Sequence, residues 1–326
     1  MKRTLHDIDD LPPQLRFALA IGVFDGAHLG HKRVINALLA TAKSHEAEPV
    51  ALTFDPHPAV VLHNDAPPLL CDPQERIALL HDLGVTTVVM QRFDLAFADQ
   101  QPEAFLDRLR NGRDLAALVM TPESAFGRDR AGTMDTVRRL APTMGFELVE
   151  VTPLASHGAA VSSTRLRTEL AQGRLSEVKR LLGHPYAVTG TVVRGDARGR
   201  ELGYPTANLE FARPVALPRD GIYAVRASWG GNDPLHPTRR ADGVASLGVR
   251  PTFDTGGARV LEAHLFDVNE DLYDVRLRVE FVRRRRTEKR FDSSAELIRQ
   301  MDLDAARARS ILRSNRTTVR LAATDK

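Results

Sequence analysis

The chain lacks most of the features that define a secreted or membrane protein. Its one cysteine, Cys71, cannot form an internal disulfide, which fits a reducing cytoplasm. The sequence contains no run of about 20 apolar residues, which is the length needed to span a bilayer. The beginning of the chain turns acidic at Asp7, Asp9 and Asp10, where a signal peptide needs an apolar core. We therefore expect a cytoplasmic protein with no membrane partner.

Aromatic residues are scarce and the charges nearly cancel. Only 6% of the residues are Phe, Trp or Tyr and the net charge is +3, so few rings are available for stacking nucleic-acid bases. The densest basic run, Arg283–Arg286, could form a nucleic-acid patch. Val279, Phe281 and Phe291 flank it and favour a solvated strand end or turn instead. Anionic small-molecule substrates would account for basic clusters equally well.

What the chain does have is length and, in its first half, a regular alternation. The 326 residues suffice for two domains of about 150 residues each. Strand-like apolar runs lie at Phe17–Val23, Val50–Phe54, Val85–Met90, Leu115–Met120 and Phe146–Val151. Helical candidates lie between them at Lys32–His45, Pro73–Leu83, Pro102–Arg110 and Thr133–Met144. This alternation indicates a parallel sheet covered on both faces, where ligands bind at the carboxyl ends of strands.

The most informative segment is the turn at one such strand end, Gly22-Val-Phe-Asp-Gly-Ala-His28-Leu-Gly30-His31. Glycines let a backbone approach an anion closely, and the following helix start offers free N–H groups and a positive dipole end. His28 and His31 are three residues apart, so both can face what binds there. The segment indicates chemistry at a nucleotide phosphate.

A second segment of this type is Val161-Ser-Ser-Thr-Arg-Leu-Arg167. Serine and threonine hydroxyls cap free N–H groups at a helix start, and Arg165 and Arg167 add positive charge beside it. Nucleotidyl transfer needs the α-phosphate held in line and donors placed where negative charge develops. The two segments together supply such donors.

The pattern changes after Tyr186. Alternating, β-branched segments lie at Ala187–Val193, Gly221–Ala227, Val260–Phe266 and Val275–Phe281. They predict a small antiparallel barrel or sandwich. A helix over roughly Ser294–Arg313 closes the chain.

Two features of this half could carry chemistry. Leu202–Asn208 is expected in a loop, where the oxygens of Thr206 and Asn208 suit Mg²⁺, although a proline turn with a capping threonine explains the same residues. Glu262 shares one face of its strand with His264, because side chains alternate with a period of two. A carboxylate on that face is by default merely solvated.

These motifs have a known counterpart. Gly22–His31 resembles the signature Gly-x-Phe-Asp-Gly-x-His-x-Gly-His of bacterial bifunctional riboflavin kinase/FMN adenylyltransferases, also called FAD synthetases, within the wider class of HxGH nucleotidyltransferases. Further motifs of that family match in the same order along nearly the whole chain, at Thr53–Pro58, Arg92–Asp94, Val161–Arg167, Leu182–Tyr186, Gly190–Gly195, Gly199–Asn208, Pro218–Tyr223, Gly248–Phe253 and Leu261–Glu262.

The resemblance implies a fold of class α/β plus β. A Rossmann-like HxGH nucleotidyltransferase domain would occupy residues 1–184. A small antiparallel β-barrel riboflavin kinase domain with a C-terminal helix would occupy residues 185–326. ATP would be the co-substrate, and FMN and FAD the products.

The resemblance also implies site residues. In the first domain, His28 and His31 would be catalytic, and ATP would contact Gly22, Phe24, Asp25, Gly30, Ser162, Ser163, Thr164 and Arg165. In the second, Glu262 would be the general base that takes the proton of the riboflavin 5′-hydroxyl. Its ATP would contact Gly195, Gly199, Gly203, Pro205, Thr206 and Asn208, with Mg²⁺ on Thr206 and Asn208. Gly195 and Gly199 would form a loop over the phosphates with Arg198 and Arg200 nearby. Arg250 is a weaker candidate for substrate contact, and a structural salt bridge explains it equally well.

Two positions depart from the family pattern. The loop that usually reads Gly-x-Asp/Asn-Phe-x-Phe-Gly is here Thr121-Pro-Glu-Ser-Ala-Phe-Gly127, and the longer acid Glu123 could weaken placement of FMN or ATP. Asp274 stands where a glycine is usual, and a left-handed backbone there costs more than with glycine.

The main expectation is therefore a bifunctional enzyme of FAD biosynthesis that acts on riboflavin, FMN and ATP. It would be a monomer or weak homo-oligomer with no nucleic-acid partner. The departure at Thr121–Ser124 leaves open a riboflavin kinase whose first domain is impaired or regulatory. The basic run at Arg283–Arg286 leaves a nucleic-acid-binding protein as a remote alternative.

Overall fold

The chain folds into two compact units. The computed structural model describes residues 2–64, 66–195, 199, 202–249 and 259–323, with the side chains of the last helix described through residue 314. The first unit runs to Pro68 and resumes over Pro73–Ser163, and the second comprises Leu69–Asp72 and the chain from Thr164 onward. The division expected near residue 184 between functional domains stays a prediction, since contacts group residues 164–184 with the second unit.

The first unit is a parallel sheet with helices between its strands. The strands are β1 (Arg3–Leu5), β2 (Arg16–Ile21), β3 (Glu48–Asp55), β4 (Thr87–Arg92), β5 (Asp114–Met120) and β6 (Glu147–Glu150). The helices are α1 (Leu29–Ser44), α2 (Pro58–His63), α3 (Pro73–Asp82), α4 (Leu95–Ala98), α5 (Pro102–Arg110) and α6 (Met134–Met144). The strand order is β1-β4-β3-β2-β5-β6, and each described pair is parallel.

The central strand β2 shows why the apolar runs form a sheet buried on both faces. Phe17 and Leu19 pack on one side with residues of α5 and α6, whereas Ala18 and Ala20 pack on the other with residues of α1 and α3. All four side chains are fully buried. The small alanines let α1 lie close to the sheet, which fixes the start of α1 against the end of β2.

The second unit is built on a closed antiparallel barrel. A two-stranded hairpin of β7 (Ala155–Ser156) and β8 (Ala159–Ala160) ends the first unit, and α7 (Ser163–Ala171) and α8 (Leu175–Leu182) lead to the barrel. Its strands are β9 (Ala187–Val193), β10 (Ala207–Glu210), β11 (Gly221–Trp229), β12 (Arg239–Val249), β13 (Arg259–Leu265) and β14 (Arg276–Arg286). They close in the order β10-β13-β12-β11-β14-β9, so the barrel is confirmed over the sandwich.

Side chains alternate across the barrel wall as the sequence pattern predicts. In β13, Leu261, Ala263 and Leu265 are buried in the barrel, whereas Glu262 and His264 lie on its outer face and are half-buried. The closing helix, α9 (Ser294–Ala323), covers part of this face. It is longer than the expected Ser294–Arg313.

The basic run Arg283–Arg286 is a strand end, as expected. It forms the last residues of β14. Arg284 donates to the carbonyl of Asp220 at 3.0 Å, and Arg286 donates to the buried carboxylate of Asp304 on α9 at 2.9 Å. These side chains therefore serve contacts within the second unit.

One short segment of the first half of the sequence belongs to the barrel unit. Leu69–Asp72 lies between α2 and α3 in the chain, yet Leu69 forms an isolated parallel bridge with Val215. Asp72 pairs with Arg276 of β14 at 3.0 Å. The two units are thus interleaved along the chain.

Candidate functional site

The turn after β2 has an unusual backbone. Gly22 extends the sheet by donating its N–H to the carbonyl of Leu52 at 3.0 Å. The chain then passes through three positive φ angles, 52° at Phe24, 77° at Gly26 and 41° at Ala27. Left-handed residues in succession turn the chain sharply. The turn thereby delivers His28 to the first turn of α1.

His28 and His31 form a stacked pair at the start of α1. His28 is the N-cap of the helix, and its Nδ1 accepts a hydrogen bond from the backbone N–H of His31 at 3.2 Å. The two rings stack with centroids 3.6 Å apart. Because Nδ1 of His28 is an acceptor, the proton of its neutral ring sits on Nε2, which stays a donor.

Close packing at this helix start leaves no room for a side chain at Gly30. A Cβ there would lie 2.8 Å from the carbonyl oxygen of Val161 and 3.0 Å from the His28 ring. Ser163 adds a second contact between these segments, because its hydroxyl donates a hydrogen bond to the carbonyl of Asp25 at 3.2 Å. The structure therefore brings together the two segments that the sequence singled out.

The surroundings of His31 favour its neutral form. Burial lowers the pKa of His31 well below the usual value of 6.5, and repulsion from Arg76 and from His28 when that ring is protonated lowers it further. Its Nδ1 is enclosed without a hydrogen-bond partner among the described residues. At neutral pH His31 can thus act as a neutral hydrogen-bonding group at the helix N-terminus.

The other residues expected at this site differ in burial and in the unit to which they belong. Phe24 is buried in the core with its ring edge-on to that of His31 at 5.3 Å, so it supports the histidine. Asp25 is also buried. Thr164 and Arg165 belong to the second unit by their contacts, and Arg165 forms an ion pair with Glu177 at 3.0 Å.

The divergent loop after β5 is a compact turn. The backbone N–H of Ser124 donates to the carbonyl of Thr121 at 2.9 Å, and the two hydroxyls are also 2.9 Å apart. Glu123 is exposed. Phe126, which the family pattern retains, packs against Phe105 with ring centroids 5.2 Å apart. Thr121 and Ser124, which depart from the family pattern, are hydrogen-bonded to each other. Phe126, which matches the pattern, packs against the core.

A second candidate site lies on the outer face of the barrel. Strand register places Asn208 of β10 opposite Glu262 of β13, and Glu262 opposite Ser246 of β12. Directly opposed residues of antiparallel strands lie on one face about 5 Å apart. The expected loop therefore ends at Thr206, because Ala207 and Asn208 already belong to β10; that part of the prediction was wrong.

Asn208 carries a buried oxygen that is left unpaired by the described residues. Its side chain is buried, and its Oδ1 has no hydrogen-bond partner within the described part of the chain. A Cβ on Gly195 would lie 2.5 Å from its Nδ2, so the glycine makes room for the amide. A buried carbonyl oxygen left unpaired costs free energy unless a ligand completes it.

The remaining glycines and the proline of this site lie in the loop that precedes Thr206. Gly203 has a φ of 83°. The carbonyl of Gly199 accepts from the N–H of Tyr204 at 2.7 Å. Pro205 accepts at its carbonyl from Nδ1 of His264 at 2.9 Å. The loop is therefore tied to the strand that carries Glu262.

Two cavities meet at Thr206. The larger, about 200 Å³, contains Glu262 and has apolar walls that include Ile222, Phe291 and Met301. The smaller, about 80 Å³, is lined by Thr206, Pro205 and Tyr273 among others. Tyr204 links its loop to α9 by donating to Asp302, and burial beside that carboxylate raises the pKa of Tyr204 to about 12.

The donor set fits Mg²⁺ held partly by a substrate. No cluster of three His, Cys, Asp or Glu side chains able to hold a metal occurs among the described residues. Thr206 and the unpaired Oδ1 of Asn208 offer hard oxygens instead, and Mg²⁺ typically adds substrate phosphates and waters to so few protein ligands. Arg198, Arg200 and Arg250 lie outside the described residues.

A helix N-terminus with a histidine pair, and a carboxylate opposite an amide oxygen unpaired among the described residues, are two arrangements suited to the transfer of phosphate-containing groups. The family model described as "FAD synthetase" matches residues 12–165, and that described as "Riboflavin kinase" matches residues 182–312.

Relatives support both matches. The chain is 34% identical to the bifunctional riboflavin kinase/FMN adenylyltransferase of Escherichia coli K12, covering 94% of this chain and 96% of that protein. It is 32% identical to the protein of the same name from Bacillus subtilis, covering 90% and 92%. The chain belongs to the bifunctional riboflavin kinase/FMN adenylyltransferase family.

A solved structure shares the architecture. It is titled as a macrolide-efflux protein from Streptococcus pneumoniae, with a TM-score of 0.79, 28% identity and coverage of 93% of this chain and 97% of that one. No helix in the described part of this chain has the length and apolar character needed to cross a membrane.

Sequence reasoning missed some residues that lie beside the two candidate sites. Arg76 is buried beside His31 although it sits in an ordinary charged helix sequence, and no local pattern marks it. Ser246 was missed together with β12. A signal for that strand exists in the buried alternation of Gly243, Ala245 and Leu247, but small residues and glycine are weak strand formers.

Proposed function

We propose that this chain phosphorylates riboflavin with ATP to give FMN, and that it adenylylates FMN with a second ATP to give FAD and pyrophosphate. The observation that carries the proposal is the presence of two differently built phosphate-transfer sites in one chain. One contains His28 and His31, and the other contains Glu262 and Asn208. Each falls within the matching family model.

In the kinase reaction, Glu262 acts as the general base. The riboflavin 5′-hydroxyl oxygen attacks the γ-phosphorus of ATP, its proton passes to the Glu262 carboxylate, and the bond to the β–γ bridging oxygen breaks to release ADP. The apolar walls of the larger cavity suit a flavin ring. The smaller cavity, which shares Thr206 with it, suits the nucleotide.

Thr206 and Asn208 are the residues that would hold Mg²⁺. When bound, the metal neutralises charge on the β- and γ-phosphates of ATP. Asn208 supplies the oxygen left unpaired in the barrel wall. Gly195, Gly199 and Gly203 let the backbone pass close to these groups.

In the adenylyl transfer, a phosphate oxygen of FMN attacks the α-phosphorus of ATP, and the bond to pyrophosphate breaks. The attacking oxygen is already ionised, so the site needs donors and not a base. His28, His31 and the N–H groups at the start of α1 provide donors to the phosphates. Gly22, Gly30, Ser162 and Ser163 form the surrounding backbone, and Thr164 and Arg165 are the remaining proposed contacts.

The product profile tests both activities. Protein incubated with riboflavin, ATP and Mg²⁺ should yield FMN and FAD, separated by chromatography, and omission of Mg²⁺ should stop FMN formation. A second reaction starts from FMN and ATP. FAD and pyrophosphate formed there would remove the alternative, motivated by the divergent Thr121–Ser124 loop, of a kinase with an impaired first domain. Folded protein that forms neither product would contradict the proposal.

The cellular context is part of the same proposal. Residues 1–184 and 185–326 are the two functional domains of a cytoplasmic enzyme, which is a monomer or weak homo-oligomer and binds no nucleic acid. Arg284 and Arg286 are engaged within the second unit, which supports the last point. Gel filtration with light scattering and a nucleic-acid binding assay at low salt would test these statements.

A further inference from the structure

Arg76 is a buried arginine beneath the turn of the first site. It lies in the first turn of α3 and is only 2% exposed. Its Nη1 donates to the carbonyl oxygen of Val23 at 2.8 Å. The hydroxyl of Thr53 donates to the same oxygen, also at 2.8 Å. Both lone pairs of this carbonyl are thus used just before the left-handed turn at Phe24.

The charge of Arg76 has no ion-pair partner in the described part of the chain. Within the described residues no carboxylate lies within 4.0 Å of its guanidinium, and its Nε is enclosed without a hydrogen-bond partner. Its remaining contact is a weak one to the sulfur of Met90 at 4.0 Å. A buried charge without a counter-ion is costly, so this site should favour a bound anion that pairs with Arg76.

The position of this charge coincides with the phosphate site. Arg76 is close enough to His31 to lower the pKa of that ring, and His31 lies in the first turn of α1. The free N–H groups and dipole of α1 carry positive potential of the same sign. Without ligand these positive groups disfavour one another, and a bound polyanion stabilises all of them.

We propose that Arg76 is a positioning residue for adenylyl transfer, which holds the turn through Val23 and places a fixed positive charge under the site that takes the phosphates of ATP. This inference rests on the function proposed for the His28–His31 site. The charged or titratable neighbours on the same elements are His28, Asp25 in the turn, and Glu75 beside Arg76 on α3. All three are buried.

Three substitutions separate the charge of Arg76 from its hydrogen bond. Arg76→Gln keeps a donor for Val23 but loses the charge, whereas Arg76→Lys keeps the charge. Thr53→Val removes the other donor to Val23 without changing any charge, and it is the matched control. Riboflavin kinase activity of the same protein, measured in parallel, reports that the chain is folded.

The expected results concern the KM for ATP in FAD synthesis from FMN. R76Q should raise it by about tenfold or more, as removal of a buried charge contact does, while R76K and T53V should change it by less than about threefold. Because the positive charge lowers the pKa of His31, R76Q should also move the acid limb of kcat/KM to higher pH. T53V should leave that limb in place.

Two results would overturn the proposal. One is an unchanged KM and pH profile in R76Q. The other is an equal loss in all three variants, which would mean that Arg76 only supports the turn. If R76Q loses kinase activity and its fold, R76K decides alone: a KM within about threefold supports the role of the charge, and a tenfold rise rejects it. Failure of the underlying site would show separately, as FAD synthesis that survives His31→Ala.

Discussion

The two proposed sites differ in the groups they offer, and the difference matches the attacking atoms of the two proposed reactions. The barrel site centres on the carboxylate of Glu262 and the unpaired oxygen of Asn208. The site at α1 has two histidines, of which His31 favours its neutral form, together with helix N–H groups and the buried Arg76. A hydroxyl must lose a proton as it attacks, so it needs a base. A phosphate oxygen is already anionic, so it needs positive potential.

The largest effect should come from removing the base. Glu262→Gln keeps the size of the side chain but cannot accept the proton, so kcat for FMN formation from riboflavin should fall by about 10³-fold. FAD synthesis from supplied FMN should be retained. Both rates are measured by chromatography on one preparation.

Glu280→Gln on β14 is the matched control for that variant, because it makes the same change on another strand of the barrel. It should preserve both rates. Equal loss of FMN and FAD synthesis in E262Q would break the comparison, since it would mean that the sites are not independent.

The converse variant is His31→Ala. Loss of a neutral donor at the phosphate site should lower kcat for FAD synthesis by about 10²-fold and leave FMN formation intact. His45→Ala, at the other end of α1, removes an exposed contact to Glu147 and should leave both rates unchanged. A fall in the kinase rate of H31A would argue against a role confined to the first site.

A smaller effect is expected from Asn208. Asn208→Leu removes the oxygen proposed for Mg²⁺, so the Mg²⁺ concentration for half-maximal kinase activity should rise by about tenfold, as for other perturbed metal sites. Asn208→Asp retains an oxygen at the same place and should bind the metal at least as well. A Mg²⁺ titration of FMN formation distinguishes them. An unchanged titration in N208L would remove Asn208 from the metal site.

The smallest effect concerns stability of the barrel. Asp274 has a φ of 62°, as anticipated from its place in the family pattern. Asp274→Gly relieves that strain at some cost in unfolded-state entropy, and should stabilise the second unit by about 0.5 kcal/mol. Urea unfolding can be followed by Trp229, the only tryptophan, which lies in β11.

Asp271→Gly is expected to have the opposite effect on the stability of the barrel. Asp271 accepts the N–H of Tyr273 at 2.9 Å, so its loss should destabilise the barrel. Stabilisation by both glycines would show that strain at Asp274 is not the cause.

The sequence predicted the parts whose signal is local. Continuous apolar runs such as β2 and alternating ones such as β13 follow from burial on two faces or one. The short edge strand β1 and the glycine-containing β12 were missed, because three residues, or small side chains, carry little periodic signal. Such segments become strands through their pairing with strands that are distant in the sequence.

The sites show the same limit. The histidine turn and Glu262 stand out through their motifs, but no local pattern shows that Gly30 lies against Val161 or that Asn208 faces Glu262. Those contacts join residues more than fifty positions apart and depend on the fold. Arg76 is the clearest case, since only burial distinguishes it from a surface arginine.

The segment Leu69–Asp72 has a consequence for how the protein can be divided. It reaches from between α2 and α3 to pair with Val215 and Arg276 of the barrel unit. A gene fragment that starts at residue 185 would encode every barrel strand yet leave that backbone edge without its partner. The two activities are therefore better separated by point substitution than by cutting, and a permuted chain that keeps Leu69–Asp72 with the barrel would be the better stand-alone kinase.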